Sequence, residues 1–240
     1  MKTRLFLFLY VTTMLLTSLT ACNIVQGSGN LVREEREVSG FNQVALSDIG
    51  EVILTQGATN ALSIEAEDNV LPLLEARVHN QVLEIGLKDN VVLQTAQPVR
   101  FFVQMVEVAG LVTSDSGKIS AQSIESDQLT LSVGDSGAVA IEQLMTDVLD
   151  VTISGSGQVT LAGYADQQTV NVDDSGKYDT TDLESAIANI TLSGSAKGNV
   201  WVDNTLAASL DDSSTLSYFD DPVVEIHTSG SATVTKLSDH

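Results

Sequence analysis

The chain has 240 residues, with 11 basic against 32 acidic side chains, a net charge of −21, 43% hydrophobic residues and 5% aromatic ones. That balance excludes recognition of nucleic acid or anionic lipid headgroups by charge. A single cysteine excludes an intramolecular disulfide and a cysteine-built metal site.

Residues 1–21 have the layout of an export signal. Lys2 and Arg4 precede a nearly unbroken apolar run from Leu5 to Leu16, and small residues follow. The run is short for a spanning helix, which needs roughly 20 apolar residues. Cys22 directly follows Leu19-Thr20-Ala21, which resembles the bacterial lipobox, so Cys22 is the expected lipidation site. The alternative is a plain signal peptide followed by a chance cysteine. Asn23, not Asp, stands in the sorting position, which favours the outer membrane of a two-membrane cell. A lipidated N-terminus anchors a protein without a spanning helix. Cleavage removes Lys2 and Arg4, leaving 9 basic residues against 32 acidic ones, a net −23. Residues 22–30, rich in Gly, Ser and Asn, read as a flexible tether.

Residues 31–110 are irregular. Leu62-x-Ile64, Val82 to Ile85 and Phe101-x-Val103 read as strands. Asp48-Ile49-Gly50 is a degenerate turn, and Asn69–Glu75, with Pro72 inside, is a short helix or turn. This segment is expected to form the first coils and a cap, because terminal units of repeat proteins must cover an open edge.

From residue 111 to 240 one unit recurs. Seven turn-like segments align on Ser116, Ser136, Ser156, Ser175, Ser195, Ser213 and Ser231, at spacings of 18 to 20 residues. Period-2 apolar runs flank them: Leu129-x-Leu131-x-Val133 or Leu149-x-Val151-x-Ile153 before a turn, Val139-x-Ile141 or Val159-x-Leu161 after it. Leu144 and Leu183 add a third apolar point. Such alternation marks strands with one buried face. A 20-residue unit cannot bury that face alone, but stacked units can, each strand pairing with its copy one coil away. The expected fold is an all-β solenoid with about 18–20 residues per coil, continuous with residues 31–110, its seven coils making a rod of roughly 30 Å. A β-sandwich also uses short, regularly spaced strands, but has no need to repeat one turn sequence. At the C-terminal end two arrangements are open. The last coil, through Val234, exposes an edge that pairs with another molecule, or Lys236–His240 fold over it.

Gly27-Ser28-Gly29-Asn30, Glu35-Arg36-Glu37-Val38-Ser39-Gly40-Phe41 and Gly50-Glu51-Val52 resemble the opening of the bacterial head GIN domain, a family described as autotransporter-type adhesins. Gln56-Gly57, the stretch from Glu65 to Leu71 and the later Ser-Gly turns fit the same pattern, so the resemblance spans residues 30–235. It implies a right-handed parallel β-helix and an envelope location, and carries no catalytic site.

The corner residues invite a chemical reading. Asp115, Asp135, Asp174 and Asp212 would project from one edge, where a hard cation could relieve their repulsion. The simpler reading is turn chemistry, with Asp and Ser accepting from backbone N–H groups and Gly supplying the positive φ. Gly155, Gly194 and Gly230 interrupt the carboxylate row. No cofactor is implied. His79, His227 and His240 are scattered, without metal-ligand spacing. Trp201, Tyr164, Tyr178 and Tyr218 are the sugar-stacking candidates, against a packing role in corners. The sequence therefore points to a non-enzymatic, membrane-anchored adhesin or scaffold presenting solenoid faces to a protein or glycan partner. The alternatives are a carbohydrate-active enzyme on the same fold and a component that self-associates end to end.

Overall fold

The computed structural model describes residues 23–238. The expected signal segment, Cys22 and His240 lie outside the described residues. Ten short strands come first: β1 (Asn23–Gln26), β2 (Leu31–Arg36), β3 (Gln43–Leu46), β4 (Glu51–Gln56), β5 (Ala61–Glu67), β6 (Leu74–His79), β7 (Val82–Leu87), β8 (Val91–Gln94), β9 (Arg100–Met105) and β10 (Gly110–Thr113). Five long ones follow, β11 (Lys118–Val133), β12 (Ala138–Ile153), β13 (Gln158–Val172), β14 (Lys177–Leu192) and β15 (Lys197–Leu210). The chain closes with β16 (Thr215–Phe219), β17 (Val223–Thr228) and β18 (Thr233–Lys236). A 3-10 turn at Leu71–Leu73, with Pro72 inside, occupies the place expected for a short helix or turn.

The repeat forms a β-solenoid. Each long strand pairs in parallel with the next, residue i meeting the residue about one coil later: Leu131 meets Val151, which meets Val170, then Ile190 and Ala208. A sandwich would need antiparallel hairpins here, and there are none among these pairs. The inward columns are apolar and closed. Leu131, Val151, Val170, Ile190, Leu144 and Leu183 are all at most 2% exposed. Burial of this kind contributes roughly 25 cal/mol per Å², and no coil could obtain it alone.

Among the described residues, antiparallel pairing is confined to the N-terminal part. There β2 pairs β5, β5 pairs β9 and β6 pairs β7. In this segment, expected to form the cap, β6 lies antiparallel on β7, and Val70, Leu71 and Leu74 are buried in the same core as the coils. The degenerate turn at Asp48 belongs to the stack, since Ser116 N–H donates to Asp48 O at 3.0 Å and β3 pairs in parallel with β10.

One expectation is corrected. Residues 23–30 are no free tether. β1 pairs in parallel with β8, and the Gly-Ser-Gly-Asn stretch docks on the cap. Ser28 N–H donates to Asn69 Oδ1 at 3.0 Å, Asn30 Nδ2 donates to Asp68 Oδ2 at 2.9 Å, and Asn69 Nδ2 donates to Gln26 O at 2.8 Å. Four backbone and amide groups thereby find partners, which a water-solvated tether does not offer the cap. The positive φ of each corner lies one residue before the aligned serine. It falls at Asp115, Asp135, Asp174 and Asp212, with φ from 52° to 60°, and at Gly155, Gly194 and Gly230, from 66° to 69°. The closing position (Gly117, Gly137, Gly157, Gly176, then Ala196 and Ser214) points inward and is buried. A side chain there meets core groups: a Cβ on Gly117 would lie 2.5 Å from Thr113 Oγ1. Small size, not backbone freedom, selects that row.

Candidate functional site

The aligned serines form an exposed row along one corner. Their backbone N–H groups hold consecutive coils together, Ser136 to Asp115 O at 2.8 Å, Ser175 to Gly155 O at 2.8 Å and Ser213 to Gly194 O at 2.8 Å. Where a glycine coil follows an aspartate coil the approach is closer, 2.5 Å from Ser195 N to Asp174 O. That explains the Asp/Gly alternation. A Cβ on Gly194 would sit 2.7 Å from Asp174 O. The aspartates reach back to the coil before: Asp174 Oδ2 accepts from Gly155 N–H and Asp212 Oδ2 from Gly194 N–H, both at 3.3 Å, and Asp135 Oδ2 from Asp115 N–H at 3.5 Å. Among the described residues, no three or more His, Cys, Asp or Glu gather as a metal-holding group. His79 in β6 and His227 in β17 are at opposite ends of the solenoid.

A second surface feature is built by strand register. Met145 pairs with Tyr164, Tyr164 with Glu184, Glu184 with Trp201 and Trp201 with Phe219. These residues make one column across five coils, and Tyr164, Glu184, Trp201 and Phe219 are each half-buried in it. Carboxylates flank the rings. Trp201 Nε1 donates to Asp220 Oδ2, and Tyr164 Oη donates to Asp166 Oδ1 at 3.4 Å. Glu184 shares a hydrogen bond with Asp203. That bond, then partial desolvation and the negative charges of Asp203 and Asp220, holds the Glu184 carboxyl above the usual range. Desolvation, with the charge of Asp166 next, raises the Tyr164 hydroxyl.

The other two tyrosines do different work. Tyr178 is 1% exposed. Its hydroxyl donates to Gln168 Oε1 at 2.7 Å, Gln168 Nε2 donates to Ser185 Oγ at 2.6 Å, and Ser185 Oγ donates to Trp201 O at 2.9 Å. Burial pushes the Tyr178 hydroxyl far above its ordinary value. This buried chain ends on the backbone of Trp201, so it fixes the carrier of the outward indole. An unpaired buried polar group is costly, and in this chain of bonds each member has a partner. Tyr218 packs partly against the core.

The cap holds a concavity of about 1260 Å³ over β2, β5, β9 and β4, with Ile53, Val78, Phe102, Glu35 and Arg33 in its wall. The Arg33 guanidinium lies 4.1 Å from the Phe102 ring centroid and donates to Ser63 Oγ at 2.7 Å. A cation over an aromatic face is favourable by about 0.5–1 kcal/mol at exposed sites, so this arginine is already engaged.

Residues 40–222 match a family model described as "Putative auto-transporter adhesin, head GIN domain". The fold is shared by crystal structures of distant relatives. A "putative adhesin" from Bacteroides fragilis NCTC 9343 superposes with a TM-score of 0.82 at 18% identity, over 89% of this chain and all of its own. A "putative lipid binding protein" from Parabacteroides distasonis ATCC 8503 gives 0.74 at 20% identity, over 90% and 100%. A "putative adhesin" from the same organism gives 0.71 at 18%, also over 90% and 100%. No curated protein matches the chain. At these identities the likeness concerns the fold.

Proposed function

From its place in the head GIN domain family, to which the chain belongs, we propose that the protein is a non-enzymatic adhesin-type binding module, held in the bacterial envelope by lipid on Cys22 and offering a solenoid face to a glycan. The supporting observation is the column of Tyr164, Glu184, Trp201 and Phe219 with its flanking carboxylates. Rungs are about 4.8 Å apart, so the Tyr164 and Trp201 rings, two rungs apart, are spaced by roughly 10 Å, the scale of a disaccharide. Rings present flat apolar faces for stacking on sugar C–H groups, while Glu184, Asp203 and Asp220 offer acceptors to hydroxyls. The corner carboxylates are bonded to the coil before them, which supports a structural role for that row and leaves recognition to the face. The Asn23 side of the anchor supports an orientation with the cap toward the membrane, because β1 starts directly after Cys22 and is tied to β8 and Asn69.

The test is a glycan array probed with the soluble chain, paired with Trp201→Ala and Glu184→Lys variants. Specific glycan signals lost in both variants support the proposal. Signals indifferent to both, or binding only to proteins, overturn the glycan face. Anchoring is tested separately: labelled palmitate must enter the wild type and be absent from Cys22→Ala, and incorporation that survives the substitution removes the lipoprotein assignment.

A further inference from the structure

The concavity over β2, β4, β5 and β9 shares no strand with the Tyr164–Phe219 column. It measures about 1260 Å³, above the roughly 300–1,000 Å³ of ordinary small-molecule clefts. Its middle is apolar. Ile53 pairs with Phe102, and Phe102 with Ser63, so Ile53 and Phe102 stand side by side on the outer face of the sheet, both half-buried. Val78 of β6 lines the same hollow and is 37% exposed.

One charge in its wall is out of balance. Arg36 pairs with Glu34 at 2.9 Å, Arg100 with Glu65 at 3.0 Å and Arg77 with Glu75. Arg33 has no carboxylate within ion-pair distance among the described residues. The residue facing it across the strands is Glu65, which Arg100 already holds. In a chain with 32 acidic side chains, an arginine left without one is unexpected. Arg33 is nevertheless fixed in place. Its Nε and Nη2 donate to Ser63 Oγ at 2.9 and 2.7 Å, and the guanidinium lies 4.1 Å from the Phe102 ring centroid. These neutral contacts set the plane of the guanidinium and leave its charge uncompensated. A fixed, planar guanidinium is the group that takes a carboxylate or phosphate through paired N–H bonds.

We propose that this concavity binds a small amphipathic acid, its single carboxylate on Arg33 and its apolar body on Phe102, Ile53 and Val78. Charge narrows the head group. Glu35 and Glu37 line the same hollow, so it tolerates one negative charge better than the roughly −1.5 to −2 of a phosphate monoester. Shape narrows the body. A hollow of this size encloses a short chain or a ring, whereas a flat bilayer surface would bridge its mouth.

Calorimetric titration of the soluble chain with octanoate tests this, with octanol, acetate and octyl phosphate as comparisons; none is a sugar, so the result is independent of the glycan array. Octanoate is expected to bind saturably at one site. Octanol, which lacks the charge, and acetate, which lacks the body, should each bind weaker by about tenfold or more, and octyl phosphate should also bind more weakly than octanoate. Arg33→Gln should lower octanoate to the affinity of octanol. Val78→Asp, at an exposed position, should weaken octanoate and octanol alike, and Ile187→Asp, on β14, should change neither. Each variant is checked for the wild-type circular dichroism spectrum. No saturable binding of octanoate, equal affinity for octanol, tighter binding of octyl phosphate, or unchanged octanoate affinity in a folded Arg33→Gln protein overturns the proposal.

Discussion

Gly194→Ala probes the closest approach between coils. Gly194 has φ +69°, and a Cβ there would lie 2.7 Å from Asp174 O and 3.0 Å from Asp174 Cα. The left-handed conformation costs a residue with a Cβ about 1–2 kcal/mol. The neighbouring Ser195 N–Asp174 O bond, 2.5 Å long, must lengthen, which forfeits roughly 0.5–1.5 kcal/mol. Together the substitution is expected to cost about 1.5–3.5 kcal/mol. For a domain of this size each kcal/mol moves Tm by roughly 2–4 °C, so Tm should fall by about 3–14 °C. The control is Asp174→Gly, which relieves φ +59° and loses only the 3.3 Å bond to Gly155 N–H; it should stay within about 1 kcal/mol of wild type. Urea and thermal unfolding followed by circular dichroism measure both. A Gly194→Ala protein as stable as wild type would refute the claim that alternate corners are glycine because the preceding backbone leaves no room.

Three further outcomes are expected. Tyr178→Phe leaves the buried Gln168 Oε1 without its donor, at a cost of about 1–3 kcal/mol, and should shift Trp201 emission because the same chain of bonds ends on the Trp201 carbonyl; unchanged unfolding and emission would contradict this. Glu184 holds its proton above the ordinary glutamate value of about 4.3, so its stabilising share is complete below that value and is lost as pH rises through the raised one; acidification into this window should raise Tm in wild type and not in Glu184→Gln. Asp68 is depressed by hydrogen bonds from Ser28 and then Asn30, so its share is present above the ordinary aspartate value and lost as pH falls through the depressed one; Ser28→Ala should weaken this dependence and speed hydrogen exchange at residues 24–30, read by mass spectrometry.

Much of the architecture is legible in the sequence because a solenoid repeats its own local rules. The aligned serines, the period-2 runs and the third apolar points at Leu144 and Leu183 each report one position in the coil. The cap is less legible. Antiparallel β2, β5 and β9 have ordinary strand composition, and nothing in their sequence states which way a neighbour runs. The docking of residues 23–30 depends on partners about 40 residues away, Asp68 and Asn69. The aromatic column was hidden for a geometric reason. Tyr164, Glu184 and Trp201 stand eight, nine and six residues after their aligned serines, and only the register shifts between β12 and β13, β13 and β14, and β14 and β15 bring them into line. Counting from the serines places them on different faces. The left-handed position is hard to read from sequence because no single residue type marks it: Asp fills it at Asp115, Asp135, Asp174 and Asp212, and Gly at Gly155, Gly194 and Gly230.

Trp201 is the only tryptophan in the chain, so its fluorescence reports on the proposed glycan face with no background from other indoles. Titration with the oligosaccharides selected on the array should shift its emission saturably, and Glu184→Lys should abolish the shift while leaving the unliganded spectrum of a folded protein. Saturable binding of those sugars by calorimetry, with Trp201 emission unmoved and affinity unchanged in Glu184→Lys, would place recognition elsewhere and contradict the assignment of this face.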